Sequence, residues 1–206
     1  KTLVLRKRYG LFYLLTFLSG ARRQIFMVFA AFLMVEKFGY QASEVTLLFL
    51  INYSFNWLFA ERIGKFIHRF GERKSLTAEY IGLICVFVGY GVVENATTAA
   101  ILYIIDHMFF AMAIAISTYF QKIAAAEDIS ASASVSFTIS HIAAVVIPAA
   151  LGLVWIQHPA LVFYIGALFA ILSLIAVQFI PSNPAPGNEI ATRLRSTHFQ
   201  NEGKVI

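Results

Sequence analysis

Residues 160–180 read ALVFYIGALFAILSLIAVQFI, a run of twenty-one residues without a charged side chain. A helix rises about 1.5 Å per residue, so roughly 20 such residues cross the hydrocarbon core of a bilayer. Only helices and closed barrels satisfy every backbone polar group in hydrocarbon, and no alternating barrel pattern occurs in this chain. The stretch therefore predicts a membrane-spanning helix.

Five further apolar runs precede it, and the composition of the whole chain agrees with them. Hydrophobic residues make up 59% of the chain and charged residues 13%, whereas a soluble domain carries roughly a quarter charged residues. The sequence therefore predicts an all-α membrane protein, a six-transmembrane-helix bundle over residues 9–180. The other five predicted spans are residues 9–35, 45–60, 76–93, 99–120 and 131–156.

Lysine and arginine residues gather at one end of this predicted bundle. Four of the sixteen fall in the basic segment 1–8, five in the loop 61–75, one after the fourth span and three in the tail 181–206, against Lys37 alone at the other end. Positive residues are retained on the cytoplasmic side of a membrane, so both termini are predicted to be cytoplasmic. This basic excess is a topology signal, and no nucleic-acid partner is expected. The proline-containing tail is predicted to be disordered.

Polar side chains fall mainly on the first, second, fourth and fifth spans. An ionisable group in hydrocarbon costs roughly several kcal/mol, so such groups face a bundle interior or a wet cavity. These four spans are therefore predicted to line a polar cavity, whereas the third and sixth face lipid. The residues predicted for a substrate or proton pathway are Arg22, Arg23, Gln24, Asn52, Asn56, Asp106, His107, Ser134, Thr138 and His141.

Two charges in this set are predicted to lie at nearly the same depth. Arg22 is roughly 18 Å from the cytoplasmic end of the first span, and Asp106 is roughly 10 Å from the outer end of the fourth. An Arg–Asp pairing is therefore geometrically allowed, and only one of Arg22 and Arg23 can face Asp106 directly. The arginines either bind an anionic substrate or neutralise Asp106, and Asp106 is either a proton or cation site or a fixed counter-ion.

The remaining polar positions allow two interpretations each. His141 is either a proton relay or a packed, hydrogen-bonded side chain. The asparagines of the second span and the hydroxyls of the fifth are expected to join helices by hydrogen bonds, with or without exposure to the cavity. Pro148 is predicted to kink the fifth span, a bend that serves either gating or packing. The single cysteine, Cys85, lies in an apolar run and excludes an internal disulfide or a cysteine metal cluster.

The segment after the second span resembles a known family signature. Residues 64–74 read GKFIHRFGERK, which is similar to the cytoplasmic loop G-x-x-x-D-R-x-G-R-R/K of major facilitator transporters. Gly64 is expected to permit close helix approach and Gly71 a tight turn. The predicted gating loop consists of Gly64, His68, Arg69, Gly71 and Arg73.

Two positions depart from the signature. His68 stands where the family has an aspartate that helps to latch the inward-facing helix ends, so a latch here is absent or depends on pH. Glu72 stands where the family has a basic residue. The second-half copy of the signature is usually the degenerate one in this family. The resemblance therefore implies the C-terminal half of a twelve-helix carrier.

The resemblance implies secondary active transport of a small solute by alternating access, in a poorly characterised bacterial member of the family. It implies the inner (plasma) membrane as location, and an N-terminal half of the same transporter or a second copy as partner. No metal or organic cofactor is expected, and coupling to a proton or another ion stays open. The alternatives are a six-helix half acting as a homodimer, or a non-transport membrane protein. No motif of an enzyme and no channel filter occurs in the sequence, so an enzyme is not expected.

Overall fold

The computed structural model describes residues 5–191, and this part of the chain is helical, without a β-strand. The prediction of an all-α fold is confirmed. Predictions on residues 1–4 and 192–206, including part of the basic segment and most of the tail, lie outside the described residues. The six main helices of the described part are α1 Lys7–Glu36, α2 Ala42–Phe70, α3 Glu72–Val92, α4 Ala96–Ile123, α5 Ile129–Gln157 and α6 Pro159–Val177.

Five of the six helices within residues 5–191 are long and apolar enough to cross a membrane. The exception is α2, whose apolar run is interrupted by Asn52 and Asn56 and followed by charged residues from Glu61 onward. The helix itself continues to Phe70, because nothing in the charged part of its sequence breaks a helix. Length and composition thus support five of the six predicted spans.

Helices α3 and α6 form the most extensive helix pair of the bundle. The buried face of α6 carries small residues, including Gly166, Ala170 and Ser173, which allow two helices to approach closely. The ring of Phe87 on α3 packs directly over Gly166. The outer faces of both helices are exposed and apolar. The third span was predicted to face lipid, and one polar position contradicts this, because α3 carries the fully buried Glu79.

A layer of charged side chains divides the apolar core into two parts. One cluster includes Leu15, Leu76 and Tyr119, toward the end where α1 begins. The other includes Phe29 and Phe87, toward the opposite end. On each of α1, α3 and α4 one buried ionisable residue lies between the two clusters, and these residues are Arg22, Glu79 and Asp106.

Helices α2 and α5 expose most of their surface. Within α2 the buried residues are Val45, Leu48, Asn52 and Ile67. Large apolar side chains point outward from both helices, as shown by Trp57 at 82% exposure on α2 and Leu153 at 71% on α5. These faces fit contact with lipid or with another protein surface far better than contact with water.

Residues 181–191 fold back onto the bundle. Pro181 is buried, and the hydroxyl of Tyr119 donates a hydrogen bond of 2.5 Å to the carbonyl oxygen of Glu189. The amide of Ala191 donates to the carbonyl oxygen of Phe179 at 2.8 Å. This part of the predicted disordered tail therefore has a definite place against α4 and the end of α6.

Candidate functional site

An open cavity of about 760 Å³ lies between α1, α4 and α5, at the end of the bundle where α1 begins. Phe12, Phe120 and Phe137 give it aromatic surface. Among residues 5–191, no aspartate or glutamate lines it. Its polar lining consists of Thr16, Ser19, Arg23, Gln24, Ser117, Gln121, Ser136, Ser140 and His141.

Arg23 is the charged residue that faces this cavity. Its side chain is exposed, and it forms no hydrogen bond or ion pair with any other residue in the described part of the chain. Ser136 also has a buried hydroxyl without a partner in the described residues. A guanidinium presents five N–H donors in a planar fork that matches a carboxylate or phosphate. The charge of Arg23 in this cavity is therefore not offset by a contact with another residue in the described part of the chain.

A second, smaller cavity of about 190 Å³ lies between α1, α2 and α4 and shares Arg23 with the first. The amide nitrogen of Asn56 lies 2.8 Å from Nε2 of His107 and donates to it in the tautomer that leaves this nitrogen unprotonated. Next to them, the amide of Asn52 donates to the carbonyl oxygen of Tyr103 at 3.5 Å. The two asparagines share one face of α2, as their spacing predicts, and both attach it to α4.

Arg22 points into the core, away from both cavities. Neighbouring residues on a helix point about 100° apart, so Arg22 and Arg23 occupy different surroundings. The Nη2 atom of Arg22 lies 4.0 Å from Oε1 of Glu79, and its Nε donates to the carbonyl oxygen of Leu18 at 3.2 Å. The guanidinium carbon lies 4.4 Å from the centre of the Tyr80 ring, a cation–π contact.

Asp106 is also fully buried, and within residues 5–191 neither of its carboxyl oxygens has a hydrogen-bond partner. The ion pair that the structure gives Arg22 is with Glu79, and it replaces the expected direct pairing with Asp106. Asp106 interacts with Arg22 and Glu79 electrostatically, without a direct contact. Glu79 was missed from the sequence, although it lies inside the predicted third span and is the one carboxylate there.

The polar residues lie beside two breaks in regular α-helix geometry. In α1 a π-helical segment, Ile25–Ala30, begins directly after Gln24. In α4 a 3₁₀ segment, Ala111–Ala113, begins four residues after His107 and reaches both cavities. Segments of this kind inside long helices are frequent at functional sites, since they reorient neighbouring side chains. No feature of the sequence indicates either break.

The three pathway residues predicted on α5 do not share one location. His141 lines the larger cavity, and its Nδ1 lies 2.9 Å from the carbonyl oxygen of Phe137. Ser134 and Thr138 lie on the exposed face and donate to carbonyls of their own helix. Their expected role in joining helices is therefore not observed. Pro148 lies inside the continuous α5, where its kink stays a prediction.

The predicted gating loop is mostly helical. Gly64, His68 and Arg69 lie on exposed turns of α2, and Arg73 lies on the first turn of α3. Gly71 alone joins the helices, with a φ of +81° that favours glycine, so the predicted tight turn is confirmed. The expected close helix approach at Gly64 is wrong, because open space surrounds the position where a Cβ would lie.

Ion pairs tie the helix ends around the larger cavity. The carboxylate of Asp128, which precedes α5, accepts hydrogen bonds from Arg6 at 2.7 Å, from Arg8, and from the Tyr9 hydroxyl at 2.9 Å. Buried Glu72 accepts from Lys122, at the end of α4, with a separation of 2.6 Å. Glu72, which stands where the family signature has a basic residue, is thus paired with Lys122. These contacts join α1 to α5 and α3 to α4.

Comparison with known proteins adds no identification. No protein-family model matches the chain, and no curated protein matches it at a significant level. Within residues 5–191, no group of three or more His, Cys, Asp or Glu side chains is placed to hold a metal ion. The resemblance to major facilitator transporters therefore stays a prediction, and function is argued from the site.

Proposed function

We propose that this chain is one six-helix half of a secondary transporter that moves a small solute by alternating access, as the resemblance to major facilitator transporters implies. The observation that carries the proposal is the 760 Å³ polar cavity with unpaired Arg23, set among apolar helices. A substrate site near the membrane midplane, between two structural repeats, is the usual design of such carriers. In this proposal α2 also crosses the membrane, and the second half of the carrier covers its exposed face.

The distribution of roles among the helices supports this proposal. The two polar cavities are lined by α1, α2, α4 and α5, the four helices that the polar residues single out in the sequence. Helices α3 and α6 contribute to neither cavity. The exposed faces of α2 and α5 flank the cavity side and are free to meet a second half. That half is either the rest of a twelve-helix carrier or a second copy.

The cavity favours an anionic solute with an apolar body. Arg23 supplies positive charge that no acidic residue of the described lining offsets. Hydroxyl and amide groups can satisfy further oxygens, and Phe12, Phe120 and Phe137 can contact an apolar or aromatic group. The proposed location is a bacterial inner membrane with both termini cytoplasmic, so this cavity would open toward the cytoplasm.

Cysteine accessibility tests alternating access without knowledge of the solute. In the natural full-length protein with Cys85→Ser, we expect Ser140→Cys on the cavity wall to react with a membrane-impermeant maleimide in both inside-out and right-side-out vesicles. The reason is that a carrier exposes the same cavity to each side in turn. The control is Leu168→Cys on the outer face of α6, where lipid should prevent labelling from either side.

Labelling of Ser140→Cys from one side only would contradict alternating access and favour a receptor or structural role. Labelling from both sides accompanied by a steady ionic current across a planar bilayer would assign a channel instead. The position is suitable because it is partly exposed in the cavity and a cysteine differs from serine by a single atom.

A matched set of small molecules tests the charge of the solute. Benzoate, benzylamine and benzyl alcohol share an aromatic ring and differ in charge at neutral pH. We expect benzoate alone to raise the Tm of the detergent-purified protein, because Arg23 offers an unpaired guanidinium. Arg23→Gln should abolish the shift, and Arg23→Lys should retain part of it. A larger shift with benzylamine would reverse the assigned charge of the solute.

A further inference from the structure

Arg22, Glu79 and Asp106 form a buried triad whose formal charges do not balance. Each of the three side chains has 0% exposure. One guanidinium faces two carboxyl groups, and within residues 5–191 none of the four carboxyl oxygens accepts a hydrogen bond. With both carboxyls ionised, the triad would carry one uncompensated negative charge in the core of the bundle.

Among residues 5–191, no other group that acts on the triad supplies the missing positive charge. Arg22 and Glu79 are the charged side chains that act on Asp106. The remaining polar neighbours from α3 and α4 are the neutral hydroxyls of tyrosines 80, 90 and 103, which also lack hydrogen-bond partners in the described residues. The buried polar side chain of α2 is the neutral amide of Asn52, and α6 contains no Asp, Glu, His, Lys or Arg.

An unpaired buried charge is far more costly than a neutral carboxylic acid, because the charge loses its hydration without a compensating partner. When two interacting carboxyl groups share one cationic partner, the site retains a single proton that belongs to the pair. A protonated carboxyl also carries an O–H donor, whereas a carboxylate has acceptors only. One proton therefore restores the charge balance of the triad.

We propose that the Arg22–Glu79–Asp106 triad is a proton-binding site that holds one dissociable proton between its two carboxyl groups. Two members of the triad are followed in the chain by residues of the 190 Å³ cavity, Arg23 and His107. A change at that cavity would therefore reach the triad through α1 and α4. If the protein is a carrier, this site makes the proton its coupling ion, and that step alone rests on the proposed function.

Infrared spectroscopy of the natural full-length protein in lipid nanodiscs tests the site without any solute. At neutral pH we expect the wild-type spectrum to contain the carbonyl stretch of one buried protonated carboxylic acid. Glu79→Gln and Asp106→Asn should each remove this band, because the remaining carboxylate is then neutralised by Arg22. Glu44→Gln, an exposed position on α2, is the control and should leave the band unchanged.

Each other outcome overturns the proposal in a distinct way. A wild-type spectrum without the band means that both carboxyls are ionised, and its appearance when sodium is replaced by N-methylglucamine would identify a metal cation as the ligand. A band that survives in both single variants means that the triad does not share one proton. Absence of the band from the wild-type spectrum overturns the proposal even if a variant fails to fold. Since no transport is measured, failure of alternating access leaves this result intact.

Discussion

We expect Arg22→Met to cost about 3–5 kcal/mol of folding free energy, the usual effect of removing one partner of a buried ion pair. Methionine matches the length of the arginine stem and favours a helix. The loss of folding free energy therefore results mainly from removal of the positive charge. The variant leaves Glu79 and Asp106 without their cation in the core. In a thermal scan read by size-exclusion chromatography, the Tm should fall by roughly 10 °C or more.

The neighbouring arginine provides the matched control. Arg23→Met makes the same chemical change one residue away, on an exposed side chain without an ion pair in the described residues, and should shift the Tm little. Adding Glu79→Gln to Arg22→Met should recover part of the loss, since it removes one of the two stranded carboxyls. Equal losses from the two single arginine variants would contradict the placement of Arg22 in the core.

Gly166→Leu is expected to disrupt the α3–α6 pair, with a loss of about 1–3 kcal/mol or more from overpacking. A Cβ at this position would lie 2.9 Å from Cδ1 of Phe87. The Phe87 ring has 0% exposure, so it has no free space into which it can turn. The measurement is again the Tm in detergent, together with the fraction of monodisperse protein after extraction.

Gly152→Leu is the control for this change. It makes the same substitution inside α5, where open space surrounds the added Cβ. Leucine is the better helix former by about 0.8–1 kcal/mol, so this variant should keep or slightly raise the Tm. A Gly166→Leu protein as stable as Gly152→Leu would show that the small-residue face of α6 does not set the distance to α3.

The apolar runs predicted the positions of the helices well, because a run too long for any soluble element has few other solutions. Their ends were predicted less well. The second span was expected to end at residue 60, where charged residues begin, but α2 continues to Phe70. Hydropathy locates the part of a helix that suits lipid. The end of the helix is set by backbone chemistry, here by Gly71.

The candidate site was predictable as a set of residues and much less as a set of contacts. Periodicity shows that Arg22 and Arg23 diverge by about 100°, but it cannot show which of them faces the core. The orientation of α1 depends on the packing of Phe26 and Phe29 against other helices, and on the π-helical segment that contains them. Both arginines were therefore predicted to belong to one pathway, whereas the structure separates a buried ion pair at Arg22 from a cavity residue at Arg23.

Glu79 shows a second reason for incomplete prediction. A single carboxylate among apolar residues barely changes the mean hydropathy of a span, so the third span was still predicted to face lipid. Its effect on packing is large, because apolar neighbouring residues do not reduce the free-energy cost of burying a charge. The burial of an ionisable residue within a predicted span should therefore be assessed separately from the mean hydropathy of the span.

The one-residue joint between α2 and α3 restricts how α2 can move. A single residue contributes two soft backbone dihedrals, so α2 can swing about Gly71 but cannot slide along α3. Helix α2 contains 29 residues. A rotation of about 10° at this pivot would displace its far end, roughly 43 Å away, by about 7.5 Å. A rotation of α2 about Gly71 would thus produce the smallest displacement beside the Glu72–Lys122 pair and the largest at Ala42.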